Sequence, residues 1–255
     1  MRALIDLPWL LTTVLIALRL GTALALTPLL AFGSVPATFR VLFVFGLAVL
    51  LGAATGTGRA AGVEELGAFA GMALSEAMLG ALLAFAILAA FGAFQLAGRL
   101  LDLQLGFGVA TLIDPATRGH APLLGTLLWM AAVVLFFAID GHHAVLRAFA
   151  LSLQSLPPGT PLGELELAPV AAQFGAMFSF ALAIAAPVVL VLLLVDTVVA
   201  VMARTMPQMN IFFLSLPLKV LVGLFTLALA IVYFGPVARR CFETIFDMWA
   251  GVLTR

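Results

Sequence analysis

The chain has 255 residues, of which 64% are hydrophobic and only 24 are charged, 12 basic and 12 acidic. A soluble domain would carry about 45–50% apolar and about 25% charged residues, so the class is an integral membrane protein. Its scattered basic residues and zero net charge leave no basic face for nucleic acid. About 160 apolar residues, at about 20 per crossing, cap the spans near eight. The fold class is all-α, because barrel strands would alternate polar with apolar residues and dilute the hydrophobicity.

The first apolar stretch, about Leu7 to Leu30, is interrupted by Arg19. Arg2 and the Ala23-Leu24-Ala25 triplet imitate a signal peptide, but Asp6 and Arg19 favour an uncleaved span. A turn with Pro28, Gly33, Ser34 and Pro36 precedes a second span, about Ala37 to Thr57, whose Gly52, Gly56 and Gly58 suit close helix approach. Beyond Arg59, Glu64 and Glu65, a helical stretch runs from about Leu66 to Leu101. At about 1.5 Å per residue it would be roughly 50 Å long. A hydrocarbon core is about 30 Å, so this stretch must tilt, break or project. From Gly98 to Pro115 the chain stays apolar, yet its glycines and Asp114-Pro115 oppose a continuous helix. The expectation is an apolar loop that must be covered by protein or line a cavity.

A fourth span, about Leu123 to Ile139, ends at Asp140-Gly141-His142-His143. The most hydrophilic stretch lies inside His142 to Glu166 and holds Pro157, Pro158, Gly159 and Pro161, so it reads as a loop. A fifth apolar stretch, about Ala168 to Ala203, contains Pro187 and Asp196 and again exceeds one crossing. The polar turn Arg204-Thr205-Met206-Pro207-Gln208-Met209-Asn210 leads to a last span, about Ile211 to Val237, interrupted by Pro217 and Lys219. From Arg239 the tail reads as an amphipathic helix, with Phe242, Ile245, Phe246, Trp249 and Leu253 at helical spacing. Six spans would set Arg2, Arg59, Arg147, Arg239, Arg240 and Arg255 against Arg40, Arg99, Arg118, Arg204 and Lys219. That balance gives no positive-inside orientation, unlike an ordinary six-helix bundle in lipid.

Arg19, Glu76 and Asp196 are the charges inside apolar stretches. They form either an ion pathway or structural pairs, with one another or with a partner subunit. With no His or second acid at i+3 or i+4, pairing is favoured. Asp140, His142 and His143, with His120, suggest a metal, but adjacent helical histidines point about 100° apart. A His at a helix C-terminus also suits the dipole, so no metal is expected. Cys241 is the only cysteine, which excludes an intrachain disulfide and a thiolate cluster. There is no G-x-S-x-G, Ser-Lys pair or usefully spaced carboxylate pair, so neither catalytic residues nor a cofactor are expected. Met202, Met206 and Met209 form a methionine patch suited to core filling or to a deformable seal.

Several patterns recur in order along nearly the whole chain. They are Arg19 with Pro28, Pro36 and Arg40; the run Gly98 to Phe107 followed by Ala110-Thr111 and Asp114-Pro115; Gly141-His142-His143; Pro157; Ala186-Pro187; and Arg204 to Asn210. In this order they resemble the FliR family, membrane subunits of the bacterial flagellar export gate. The resemblance implies helical hairpins, with overlong and broken helices, packing with FliP-like and FliQ-like subunits into a helical pore. It implies one domain, with a FliP-like part over 1–195 and a FliQ-like hairpin and amphipathic helix over 196–255. It assigns a pore plug to Gly106, Phe107, Gly108, Val109, Ala110, Thr111, Leu112 and Ile113. Structural or inter-subunit roles fall to Arg19, Pro28, Pro36, Asp114, Pro115, Arg204, Pro207, Gln208, Pro217 and Lys219. Gly106 and Gly108 would let the plug change conformation, and Phe107, Val109 and Leu112 would exclude water and ions.

The function so implied is gated translocation of unfolded flagellar proteins, with no cofactor and no chemistry on the substrate. FlhB-like and FlhA-like components would be further partners, in the bacterial inner membrane at the flagellar basal body. The nearest alternative is the corresponding subunit of a virulence-type injectisome. A proton-coupled secondary transporter is a rival from another class, resting on Arg19, Glu76 and Asp196 and on the proline pairs Pro28/Pro36 and Pro207/Pro217. An intramembrane enzyme comes third.

Overall fold

A computed structural model describes residues 7–27, 36–56, 66–107, 122–160, 166–205 and 211–253. All their regular structure is helical: α1 (Leu7–Leu26), α2 (Ala37–Thr55), α3 (Leu66–Leu105), α4 (Leu123–Ala138), α5 (Gly141–Ser155), α6 (Ala168–Thr205), α7 (Ile211–Ala230) and α8 (Phe234–Leu253), with a 3-10 turn at Ile231–Tyr233. Among the described residues there is no strand. Five helical segments are long and apolar enough to cross a membrane, or six if α4 and α5 count as one broken span. The chain is a polytopic all-α membrane protein.

Three boundaries differ from the sequence reading. The expected loop from Gly98 begins only at Gly106, because α3 continues unbroken to Leu105. Its last turns bury Ala97, Gly98, Leu101, Asp102 and Leu105, a helical face. Gly98 is there for close approach: a Cβ would overlap the backbone of Leu124 and Gly125. The stretch read as a loop inside His142 to Glu166 contains α5, which buries Gly141, Val145, Phe149, Ser152 and Leu153 on one side. Polar residues on its other side lower the average hydrophobicity, and that average hid the period. Finally, the C-terminal helix starts at Phe234, five residues before Arg239, after the 3-10 turn ends the apolar run of α7. It buries Phe234, Ala238, Cys241, Phe242, Ile245, Met248 and Trp249, with Arg239, Arg240, Glu243 and Asp247 outside.

The described chain gathers into two compact units. One comprises residues 1–89, 140–173 and 244–255. Its centre is Trp249, whose ring lies 5.1 Å from that of Phe149 at a tilt of 52° and which donates Nε1–H to the Leu83 carbonyl at 3.1 Å. Buried Gln173 donates to the Ala86 carbonyl at 3.2 Å, so a polar group in an apolar wall is satisfied. The other unit comprises residues 90–139 and 174–243. Phe91, Phe94, Phe136 and Phe242 form its aromatic cluster, with centroids 5.2–5.8 Å apart in the contacting pairs. Such contacts add about 0.5–1.5 kcal/mol each beyond area burial.

Gly98→Val is expected to lower the thermal midpoint of the detergent-solubilised protein, at an overpacking cost of about 1–3 kcal/mol or more. Gly46→Ala, at a helical glycine with nothing within 4 Å of an added Cβ, should hold or raise it. Equal midpoints would show that α3 and α4 are not packed backbone to backbone.

Candidate functional site

The most heavily engaged charges lie inside the first unit. Arg19, in the middle of α1, is 1% exposed, and Glu76 of α3 is 2% exposed. Arg19 Nε donates to Glu76 Oε2 at 2.6 Å and Nη2 donates to Oε1 at 3.0 Å, a bidentate pair. Nη1 donates to the Ser152 carbonyl at 2.9 Å, and Nη2 to the Leu156 carbonyl at 2.9 Å. Those carbonyls belong to the C-terminal end of α5, so the guanidinium also meets the negative end of a helix dipole. Glu76 Oε1 accepts a further bond from the Gly159 N–H at 3.0 Å. Gly159 has φ 86°, and an added Cβ would lie 2.9 Å from Met72 Sδ, so the turn after α5 fits only glycine well. Gly80 lets α3 reach α1, because a Cβ there would clash with Thr22 Oγ1 and the Arg19 carbonyl. With both carboxylate oxygens engaged, Glu76 is built as a fixed counter-charge. Asp196 pairs separately with Lys219, on α6 and α7, and both are partly exposed.

The second unit holds the base of the proposed plug. α3 ends in a Schellman motif: Phe107 N–H donates to the Asp102 carbonyl at 3.0 Å and Gly106 N–H to the Leu103 carbonyl at 3.2 Å. Gly106 takes φ 83°, and a Cβ there would lie 2.8 Å from Leu216 Cδ2. Asp102, 5% exposed, accepts from the N–H groups of Leu124 (Oδ1, 3.0 Å) and Gly125 (Oδ2, 3.1 Å). One carboxylate therefore caps the first turn of α4 from the end of α3, and Pro122 before that turn supplies no side-chain cap. The two ends of the intervening segment are held at a single clamp.

Of the residues singled out from the sequence, Gly106 and Phe107 are half-buried at this clamp, whereas Gly108 to Ile113, Asp114 and Pro115 lie outside the described residues. So do Pro28, Pro207, Gln208, Arg118 and His120. Pro36 stands exposed before α2, Arg204 is exposed in the last turn of α6, and Pro217 is exposed inside α7. The helix-end reading of the histidines is corrected: His142 and His143 sit in the first turn of α5, at the positive end of its dipole and not at a C-terminus. Asp140, in the left-handed region at φ 58°, joins α4 to α5 and lies 3.5 Å from His143 Nδ1. Donor atoms of Asp140, His142 and His143 lie within 4.8 Å of one another, and this is the group able to offer three metal ligands among the described residues. Asp102, Ser152 and Gly159 were missed as functional residues. Asp102 is visible as a fourth charge inside an apolar run; the contacts of Ser152 and Gly159, 133 and 83 residues from their partners, are not.

Residues 10–245 match the family of bacterial export proteins, family 1. The chain belongs to this family. The flagellar biosynthetic protein FliR of Bacillus subtilis is 31% identical over 94% of this chain and 93% of its own length. FliR of Escherichia coli K12 is 27% identical over 93% of this chain and 90% of its own. The secretion system apparatus protein SsaT of Salmonella typhimurium is 28% identical over 64% of both chains. The likeness read from Arg19, the Gly98–Phe107 run and the Arg204–Asn210 turn is thus a family relation, and flagellar and secretion-apparatus proteins share it.

Glu76→Ala should destabilise the protein by about 3–5 kcal/mol, because Arg19 stays buried without its counter-charge. Replacing both, Arg19→Met with Glu76→Leu, should recover most of that loss in thermal unfolding. An equal loss in the double variant would mean that the pair itself holds the unit together. Asp102→Ala, leaving two amides uncapped, should cost about 1–3 kcal/mol and speed hydrogen exchange at Leu124 and Gly125 above the rest of α4.

Proposed function

We propose that this chain is a membrane subunit of the bacterial flagellar type III export gate. With FliP-like and FliQ-like subunits it forms the gated pore that unfolded flagellar proteins cross, in the inner membrane at the flagellar basal body. The observation that carries this reading is the extent of the relation: 94% of the chain aligns with a flagellar FliR, against 64% with the secretion-apparatus protein SsaT. The exposed apolar surface supports it. α2 buries only Ala48 and Leu51, while Leu182, Leu190, Leu193 and Leu194 on α6 and Leu221 and Phe225 on α7 stand open. A polar rim would border such surface if water covered it; lipid and neighbouring subunits suit it better.

In this reading the chain works by holding and sealing. Gly106 to Ile113 form the plug, footed on the clamp at Asp102. Arg19 keeps the α1, α3 and α5 helices together, and Arg204, Pro207, Gln208, Pro217 and Lys219 shape the surface offered to neighbours. Pro28, Pro36, Asp114 and Pro115 complete the set with structural or inter-subunit roles. The segment 196–255 is the counterpart of the FliQ hairpin, and FlhA-like and FlhB-like components lie beside the gate. The engagement of Glu76 on both oxygens counts against a transporter using it as a proton carrier, since taking up a proton would remove the counter-charge of a buried guanidinium.

The test uses the tagged chain in its own cells, intact and with residues 106–113 deleted. Intact chain should copurify with the FliP-like and FliQ-like gene products and support export. The deletion should still copurify but make the membrane permeable to small ions. Normal permeability with normal export would overturn the plug assignment, and failure of the intact chain to copurify would overturn the gate.

A further inference from the structure

The groove between α1 and α2 carries a feature that neither helix packing nor the export role uses. It encloses about 330 Å³ and is lined by Val14, Leu18 and Gly21 of α1 and Val41, Val44 and Phe45 of α2. Almost all of that wall is hydrocarbon, and Arg40 is its only charged residue. The Arg40 Nε is buried without a hydrogen-bond partner, and no ion pair reaches the guanidinium among the described residues. Arg40 is half-buried and a guanidinium cannot discharge itself by losing a proton, so its unpaired Nε–H is open to an anion.

Depth says which anion. α2 has 19 residues, about 28 Å at about 1.5 Å each, and so just matches a hydrocarbon core of about 30 Å. Arg40 is in its first turn, which puts the guanidinium at the headgroup layer with the groove running inward among acyl chains. Pro36 gives the same turn no side-chain cap, so its first amides leave a positive helix end on the same side as Arg40. Phe39, Leu42 and Leu50 leave the outside of α2 apolar and exposed, the surface of a helix against lipid.

We propose that this groove binds an anionic phospholipid, with the phosphate at Arg40 and an acyl chain between α1 and α2. The proposal rests on the chain being embedded in a membrane and is independent of the export role. A partner helix bringing a carboxylate would have to desolvate that charge, whereas lipid phosphates already lie at this depth.

The test takes the full chain, with any subunits that copurify, into phosphatidylcholine nanodiscs containing a small fraction of photoreactive lipid. The photoreactive group is on an acyl chain, under either a phosphatidylglycerol or a phosphatidylcholine headgroup. Irradiation should mark peptides carrying Val14–Ala25 and Arg40–Phe45 about fivefold more with the anionic lipid. Arg40→Gln should remove that preference and Arg40→Lys should keep most of it, with labelling at Leu221 and Phe225 unchanged. Gly21→Phe, which fills the groove, should abolish marking by both lipids while the thermal midpoint reports whether it folds. Equal marking by both headgroups, or no change in Arg40→Gln, would overturn the proposal. So would loss of groove marking whenever partner subunits are bound, which would assign the groove to a partner helix.

Discussion

Removing a guanidinium and a carboxylate from water is unfavourable by several kcal/mol per ion, and only near-complete hydrogen bonding offsets it. Arg19 and Glu76 meet that demand by recruiting three other parts of the chain: the Ser152 and Leu156 carbonyls and the Gly159 amide. Most of the first unit follows from this requirement. α1 and α3 must touch closely enough for Gly80 to be glycine, and α5 must end where its last carbonyls reach the guanidinium. Gly159 must turn left-handed to aim its amide at the carboxylate. In an apolar chain, where a leucine interface slides at little cost, such a pair fixes register in a way that hydrocarbon contacts do not.

The second unit solves a different problem with the same chemistry. The ends of α3 and α4 would each expose unpaired backbone groups in an apolar setting, and one buried carboxylate and one glycine turn satisfy them. The aromatic cluster of Phe91, Phe94, Phe136 and Phe242 then supplies bulk without demanding any polar partner.

Composition and period made the membrane class, the helix order and the overlong α3 and α6 legible in the sequence, because those depend on local averages. The same averaging concealed α5. Its apolar face, Val145, Phe149 and Leu153, is diluted by His142, His143, Arg147 and Gln154, so the stretch looked like a loop. Gly98 misled for another reason: glycine marks both chain breaks and close approaches, and only the position of Leu124 and Gly125 decides between them. At the candidate sites the charged residues drew notice as charges in hydrocarbon, but their partners did not. Arg19 and Glu76 are 57 residues apart, and nothing local links them. The plug expectation for Gly106–Ile113 rests on family likeness alone, and Asp102, which caps α4, lies inside the same run.

The clamp at Asp102 has a mechanical consequence. A loop rooted on two independently moving helices would drag them apart whenever something pushed through it. Here the helix that ends at Leu105 and the helix that begins at Leu123 are bonded to each other. Load on either helix at this point is therefore shared by two hydrogen bonds and a backbone contact at Gly98. The end of α3 and the start of α4 are thereby tied into one piece. Such a support behaves like a hinge with both leaves bolted to one frame.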